Sequence, residues 1–159
     1  MDDVRAALYA GSFDPYTNGH HAIVRKAARL FDRVDVMIAV NTQKHRSFDA
    51  HAMAEAMQAL FDAEGLQNVR VVIHSGLVAD YCAQQGIRYY VRGLRSDIDY
   101  SYEENIARIN RLINPDLETL YLRSDDPAIS SSMIRELLAF GKPVDRYVPD
   151  QVRRVIEGA

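Results

Sequence analysis

Leu8-Tyr9-Ala10-Gly11-Ser12-Phe13-Asp14-Pro15-Tyr16-Thr17-Asn18-Gly19-His20-His21 is the stretch whose reading decides the fold. The apolar residues 4–10 read as a short strand. After the stretch come Ala22-Ile23, Ala27 and Leu30-Phe31, apolar at helical spacing. A strand therefore enters a loop carrying Gly11, Asp14-Pro15 and Asn18-Gly19, and the loop enters a helix. That order aims backbone N–H groups and the positive end of a helix at an anion. His20 falls at or just before the helix start, where its ring can reach the same anion. The expected occupant is a nucleotide's phosphates, with His20 beside the reacting one.

Working outward, strand and helix patterns alternate along the chain. Residues 33–40, 69–73, 87–91 and 117–122 read as further strands. Asp49 is placed to cap a helix running to about Glu64 and closed by Gly65. Residues 77–85 form the next helix, stopped by Gly86, and residues 100–113 a longer one, broken by Asn114-Pro115. Residues 131–140 and 150–157 close the chain. Such a β-α-β-α rhythm predicts one α/β domain over residues 1–159, a Rossmann-like, doubly wound five-stranded parallel sheet with helices on both faces. The apolar run 69–73 suggests a strand buried on both sides. Ligands bind such sheets beyond the carboxyl ends of the strands, so Ser12, His20, Lys44, Arg92 and Arg95 are expected on one rim.

The 159 residues are 48% hydrophobic, enough for a core, and the formal net charge of −3 gives no reason to expect nucleic-acid binding. The one cysteine, Cys82, reads as a small buried hydrophobe in a reducing compartment. No apolar run approaches membrane length and the acidic N-terminus lacks a signal segment, so a soluble, cytoplasmic protein without membrane partners is expected. Neither a Gly-x-x-x-x-Gly-Lys-Ser/Thr run nor a Gly-x-Gly-x-x-Gly after the first strand is present. His45, His51 and His74 lack metal-ligand spacing. His21, His45 and Arg46 read as packing or surface residues, and the pair Asp97 and Asp99 as solvated rather than as metal ligands.

Gly11-Ser12-Phe13-Asp14-Pro15 with Thr17-Asn18-Gly19-His20 resembles the signature of the nucleotidyltransferase α/β-phosphodiesterase superfamily. Arg92-Gly93-Leu94-Arg95, the segment Asp99 to Glu103, Asn110, Ile129-Ser130-Ser131-Ser132 and Arg135-Glu136 extend the resemblance over nearly the whole chain. Together with Thr17 they point to its phosphopantetheine adenylyltransferase branch. The resemblance implies adenylyl transfer from ATP to 4′-phosphopantetheine, giving 3′-dephospho-coenzyme A and diphosphate without a covalent enzyme intermediate. It makes His20, Lys44 and Arg95 catalytic. It assigns ATP to Ser12, Phe13, His20, Gly93, Leu94, Arg95, Glu103, Asp126, Pro127, Ala128, Ile129, Ser130, Ser131 and Ser132. It assigns the acceptor to Ser12, Lys44, Leu77, Val78, Arg92 and Asn110. Leu77 and Val78 read equally as core. Magnesium held mainly by ATP phosphates and water, no protein metal site, a homohexamer and feedback by coenzyme A are further implications. The chain departs from the branch at Ala10, at Met53 and at Asp126-Pro127-Ala128, where adenosine contacts are expected to differ. Another small-molecule nucleotidyltransferase, of nicotinamide mononucleotide or cytidylyl type, and a nucleotide-binding regulator without turnover are the alternatives.

Overall fold

The structure, a computed structural model, describes residues 3–95 and 97–159, with the side chains of residues 97–99 outside the description. Its elements are β1 (Ala6–Gly11), α1 (Asn18–Leu30), β2 (Arg33–Ala39), α2 (Ala50–Ala63), β3 (Val69–His74) and α3 (Val78–Gln85), then β4 (Tyr89–Leu94), α4 (Asp97–Ile113), β5 (Glu118–Arg123), α5 (Ser131–Ala139) and α6 (Asp150–Glu157). The strands form one parallel, Rossmann-like sheet in the order β3-β2-β1-β4-β5. Strand order reverses between β1 and β4, the place where doubly wound sheets leave a crevice for ligands.

Side-chain alternation feeds two cores. Ala7 and Tyr9 of β1, with Val34, Val36 and Ile38 of β2, pack under α1, α2, α5 and α6. Ala6, Leu8 and Ala10, with Met37, pack against Ala79, Tyr81 and Cys82 of α3. Helix ends follow their sequence signals. Asp49 accepts the N–H of Ala52, and Gly86, at φ 68°, takes the left-handed turn that ends α3.

Two boundaries differ from expectation. Val4 is exposed, and the strand begins at Ala6, where burial begins. β3 lies at the sheet edge with only Val69 fully buried, yet both its faces are covered as expected, Val71 and Ile73 packing on the first core and Val72 on the second. β4 starts at Tyr89 and continues through Leu94, which places Arg92, Gly93 and Leu94 on the strand instead of in a loop. Pairing between β1 and β4 nevertheless stops at Tyr9 and Val91. Beyond that register the two strands part, and Arg92 Nη1 donates to the Ala10 carbonyl at 2.9 Å across the gap.

One charge sits inside the second core. Asp35 has no exposed surface, and its carboxylate accepts from Arg70 Nε at 2.8 Å and from the Tyr81 hydroxyl at 2.9 Å. Cys82 beside it is buried, and burial pushes its thiol up to about 12, consistent with a packing role. Breaking a buried charge pair from one side is costly, so Asp35→Ala is expected to lower unfolding free energy by about 3 kcal/mol in urea titration.

Candidate active site

A cleft of about 350 Å³ opens where β1 and β4 part. Its walls include Gly11, Ser12 and Phe13 from the first loop, Thr17, Gly19 and His20 from the start of α1, and Arg92, Gly93 and Arg95 from β4 and its exit. Glu103 of α4, Ile129, Ser130, Ser131, Ser132 and Arg135 complete it. Gly93 lets α1 pack closely on β4, since a Cβ there would stand 3.3 Å from Ile23 Cγ1 and the Ile23 side chain would have to give way.

The first loop is clamped from two sides. Phe13 holds φ at 45°, a conformation that costs a side-chain-bearing residue energy. The buried Asp14 carboxylate accepts the N–H groups of Ser47 at 2.8 Å and Phe48 at 2.9 Å. Arg46 Nη1 donates to the Ser12 carbonyl at 2.6 Å and its Nη2 to that of Phe13 at 3.3 Å. Arg46 is therefore a structural clamp and not the surface residue expected. From the other side, Arg135 Nη1 donates to the Asp14 carbonyl at 2.6 Å, and the Ser131 hydroxyl to that of Pro15 at 2.7 Å.

α1 begins at Asn18, which puts His20 at the third helical position rather than at the helix start. Thr17 caps the helix, and the cap is reciprocal. His20 N–H donates to Thr17 Oγ1 at 3.3 Å, and the Thr17 backbone N–H donates to His20 Nδ1 at 3.0 Å. A ring nitrogen that accepts carries no proton, so the hydrogen bond assigns the neutral ring's proton to Nε2. Burial, reinforced by the charges of Arg95 and Arg92, lowers the His20 pKa from 6.5 to about 4. His20 is thus a neutral donor at pH 7, flanked by cations.

Arg92 and Glu103, expected on different ligands, join each other. Arg92 Nε and Nη2 donate to the two Glu103 oxygens at 2.7 and 2.8 Å, a bidentate pair that also uses the Tyr90 hydroxyl at 3.0 Å. The carboxylate on this wall is thereby neutralised. Arg95 and Arg135 add positive charge to the lining.

Each serine of the α5 entry has a local role. Ser130 Oγ accepts the Met133 N–H at 3.1 Å, Ser131 binds Pro15, and Ser132 Oγ accepts from Arg135 Nη2 at 3.3 Å. Their hydroxyls are less available than three unassigned serines would be, whereas the first-turn amides of the helix still aim at an anion in the cleft.

Several expected residues stand elsewhere. Lys44 is exposed in the turn after β2, where its N–H donates to the Asn41 carbonyl at 3.0 Å, and it is not in the cleft wall. Leu77 is exposed as the residue before α3, while Val78 packs against the second core. Asn110 is half-buried on α4, and Leu94 adjoins the wall without lining it. Asp126, Pro127 and Ala128 form an exposed turn leading to Ile129. The side chains of Asp97 and Asp99 lie outside the described residues. Arg135, which sequence reasoning left without a role, lines the cleft. Its signal was the Arg135-Glu136 pair one turn after the serines.

The family model described as cytidylyltransferase-like matches residues 8–137. A phosphopantetheine adenylyltransferase from Thiobacillus denitrificans is 42% identical over 151 residues, covering 93% of this chain and 92% of that one. One from Synechococcus sp. is 41% identical over 148 residues, covering 92% of each. One from Leptospira biflexa is 35% identical over 148 residues, covering 92% and 91%. The chain belongs to the phosphopantetheine adenylyltransferase family. A crystal structure assigned as a nicotinate-nucleotide adenylyltransferase from Vibrio parahaemolyticus superposes with a TM-score of 0.74 at 17% identity. It covers 98% of this chain and 93% of that one, and shows the shared fold.

The His20 assignment makes a pH prediction. Nitrogen-detected NMR is expected to show the ring neutral with its proton on Nε2 from pH 8 to 5, gaining a proton near 4. Because the unfolded chain takes that proton at 6.5, His20 withdraws stability as pH falls from 6.5 toward 4. His20→Gln should flatten that part of the stability profile.

Proposed function

We propose that the cleft transfers the adenylyl group of ATP to 4′-phosphopantetheine, giving 3′-dephospho-coenzyme A and diphosphate. The observation that carries this reading is a neutral imidazole donor at the switch point of the sheet, flanked by arginines and facing a serine-led helix. No protein nucleophile is needed, because the attacking oxygen belongs to the acceptor's phosphate. The barrier is the meeting of two anions, so alignment and charge neutralisation are what the protein supplies.

His20 Nε2–H donates to an oxygen of the α-phosphate as charge develops there. Arg95 and Arg135 balance the phosphate chain, and the α5 amides receive the β- and γ-phosphates. Ser12 stands between the two reactants. Arg92 is held by Glu103 and presents its charge on the acceptor side. Lys44, on the same β2–α2 connection as the Arg46 clamp, serves the acceptor's phosphate by reaching in from outside.

Among the described residues no group of three or more His, Cys, Asp or Glu side chains comes together, and Glu103 is engaged by Arg92. The same reading has magnesium carried by the phosphates of ATP, whose charge it would neutralise, and by water. A cytoplasmic setting accords with the buried thiol. Among the described residues no helix is long and apolar enough to cross a membrane.

Assembly into a homohexamer is part of the same reading. Tyr102, Ile109, Leu112 and Ile113 share one side of α4 and are exposed, Leu112 at 84%. Leu112→Glu is expected to reduce the mass found by light scattering. Coenzyme A, which contains the product's structure, is expected to compete for the cleft.

Diphosphate release in the presence of ATP, magnesium and 4′-phosphopantetheine tests the reaction, and its absence would sink the proposal. Nicotinamide mononucleotide in place of the acceptor is expected to give none. His20→Ala is expected to lower kcat by about 100- to 1,000-fold, as losing one oriented transition-state donor does. Calorimetric ATP affinity should hardly change, and an equal fall in affinity would mean that His20 only binds.

A further inference from the structure

Tyr16 and His21 lie beside the cleft without lining it, and the reaction as proposed uses neither. Tyr16 has no exposed surface. Its ring stacks on that of His20, with centroids 5.6 Å apart and planes 23° apart. Phe13 meets the same imidazole edge-on at 4.9 Å. A hydroxyl buried this deeply needs a partner. Tyr16 finds it in His21 Nδ1, at 2.9 Å. His21 is itself buried and stacks on Phe61 with planes 7° apart. Its Nε2 meets both oxygens of Glu64 at 2.9 Å. At the surface, Arg25 donates to the same carboxylate through Nε at 3.0 Å and Nη2 at 2.7 Å.

The partners along this chain assign its proton positions. Glu64, held down to about 2 chiefly by its bond to Arg25, can only accept. Burial keeps His21 neutral by lowering its pKa. Nε2 of His21 therefore donates to Glu64, its Nδ1 accepts, and the Tyr16 hydroxyl donates. Each buried polar atom is satisfied by the next, and the last one reaches solvent.

We propose that Tyr16, His21 and Glu64 act as a positioning unit that fixes the plane of the His20 imidazole. The proposal rests on the reading of His20 as the donor to the α-phosphate. The Thr17 N–H pins one ring atom, which leaves the ring free to tilt about that point. The Tyr16 ring on one side and Phe13 at the edge remove the tilt, so Nε2–H keeps one direction into the cleft. Phe13 and Phe61 pack on the Tyr16 ring, and its hydroxyl is tethered through His21 to Glu64 at the end of α2.

The test is Tyr16→Phe, which keeps the ring and removes the tether. A small misplacement of a reacting group costs tens-fold in rate, so kcat is expected to fall about 10-fold or more with the KM for ATP nearly unchanged. In the same variant, relaxation dispersion on the His20 ring nuclei should show new microsecond-to-millisecond exchange. Glu64→Ala should do the same from the far end. Glu64→Gln, which keeps an acceptor for His21, should restore most of the rate. A lowered melting temperature with kcat and the His20 ring signals unchanged would overturn the proposal. Should wild-type protein release no diphosphate, the functional reading fails, yet the ring signals of the variants still decide the positioning role. Should Tyr16→Phe not fold, the Glu64 pair decides it.

Discussion

The left-handed turn at Phe13 is the constraint on which the cleft depends. A non-glycine residue at φ 45° carries roughly 1–3 kcal/mol of strain and persists only where its surroundings over-determine it. Here the surroundings are two distant segments. Asp14 and Arg46 tie the loop to the residues before α2, and Arg135 with Ser131 ties it to α5. Arg46, Arg135 and Ser131 take up loop carbonyls, while the Asp14 carboxylate takes up the N–H groups of Ser47 and Phe48. The loop is thus shaped by the finished fold and has no reason to hold its form in a fragment.

That clamp sets a division of labour between charge and direction. The arginines carry the positive charge, while the imidazole between them is kept neutral by burial and by their repulsion. A protonated ring would add charge but lose the reciprocal cap, because Nδ1 could no longer accept from Thr17. Neutrality is therefore what preserves a single proton position. Glu103 serves the same economy of charge by holding Arg92 in place through both oxygens.

The alternation of elements, the Asp49 cap, the Gly65 and Gly86 stops and the meeting of Ser12, His20, Arg92 and Arg95 were legible in the sequence, because each rests on local chemistry or on strand-end geometry. Arg46 was misread because its partners lie 33 and 34 residues back, a pairing that leaves no periodic trace. Tyr16, His21 and Glu64 escaped for the same reason, since Glu64 stands 43 residues from His21. Asp35 stands within an otherwise apolar strand, and only the arrival of Tyr81 and Arg70 makes its burial intelligible. The incomplete burial of β3 follows from its edge place in the strand order, which the apolar run of residues 69–73 does not encode. Lys44 sits in an exposed turn after β2, and residue type alone could not have placed it outside the cleft wall.

The opening between β1 and β4 connects these parts. Their ladder ends at Tyr9 and Val91, and Arg92 fills the gap by bonding the Ala10 carbonyl on one side and Glu103 on the other. Glu103 belongs to α4, so the same guanidinium joins this helix to the end of β1. The outer side of α4 carries the exposed stripe of Tyr102, Ile109, Leu112 and Ile113. The stripe and Glu103 ride on one helix, so a contact that moved the helix would move the carboxylate that holds Arg92. A protein surface covering the stripe would thus be coupled to the cleft by one bidentate pair, with no further pathway required.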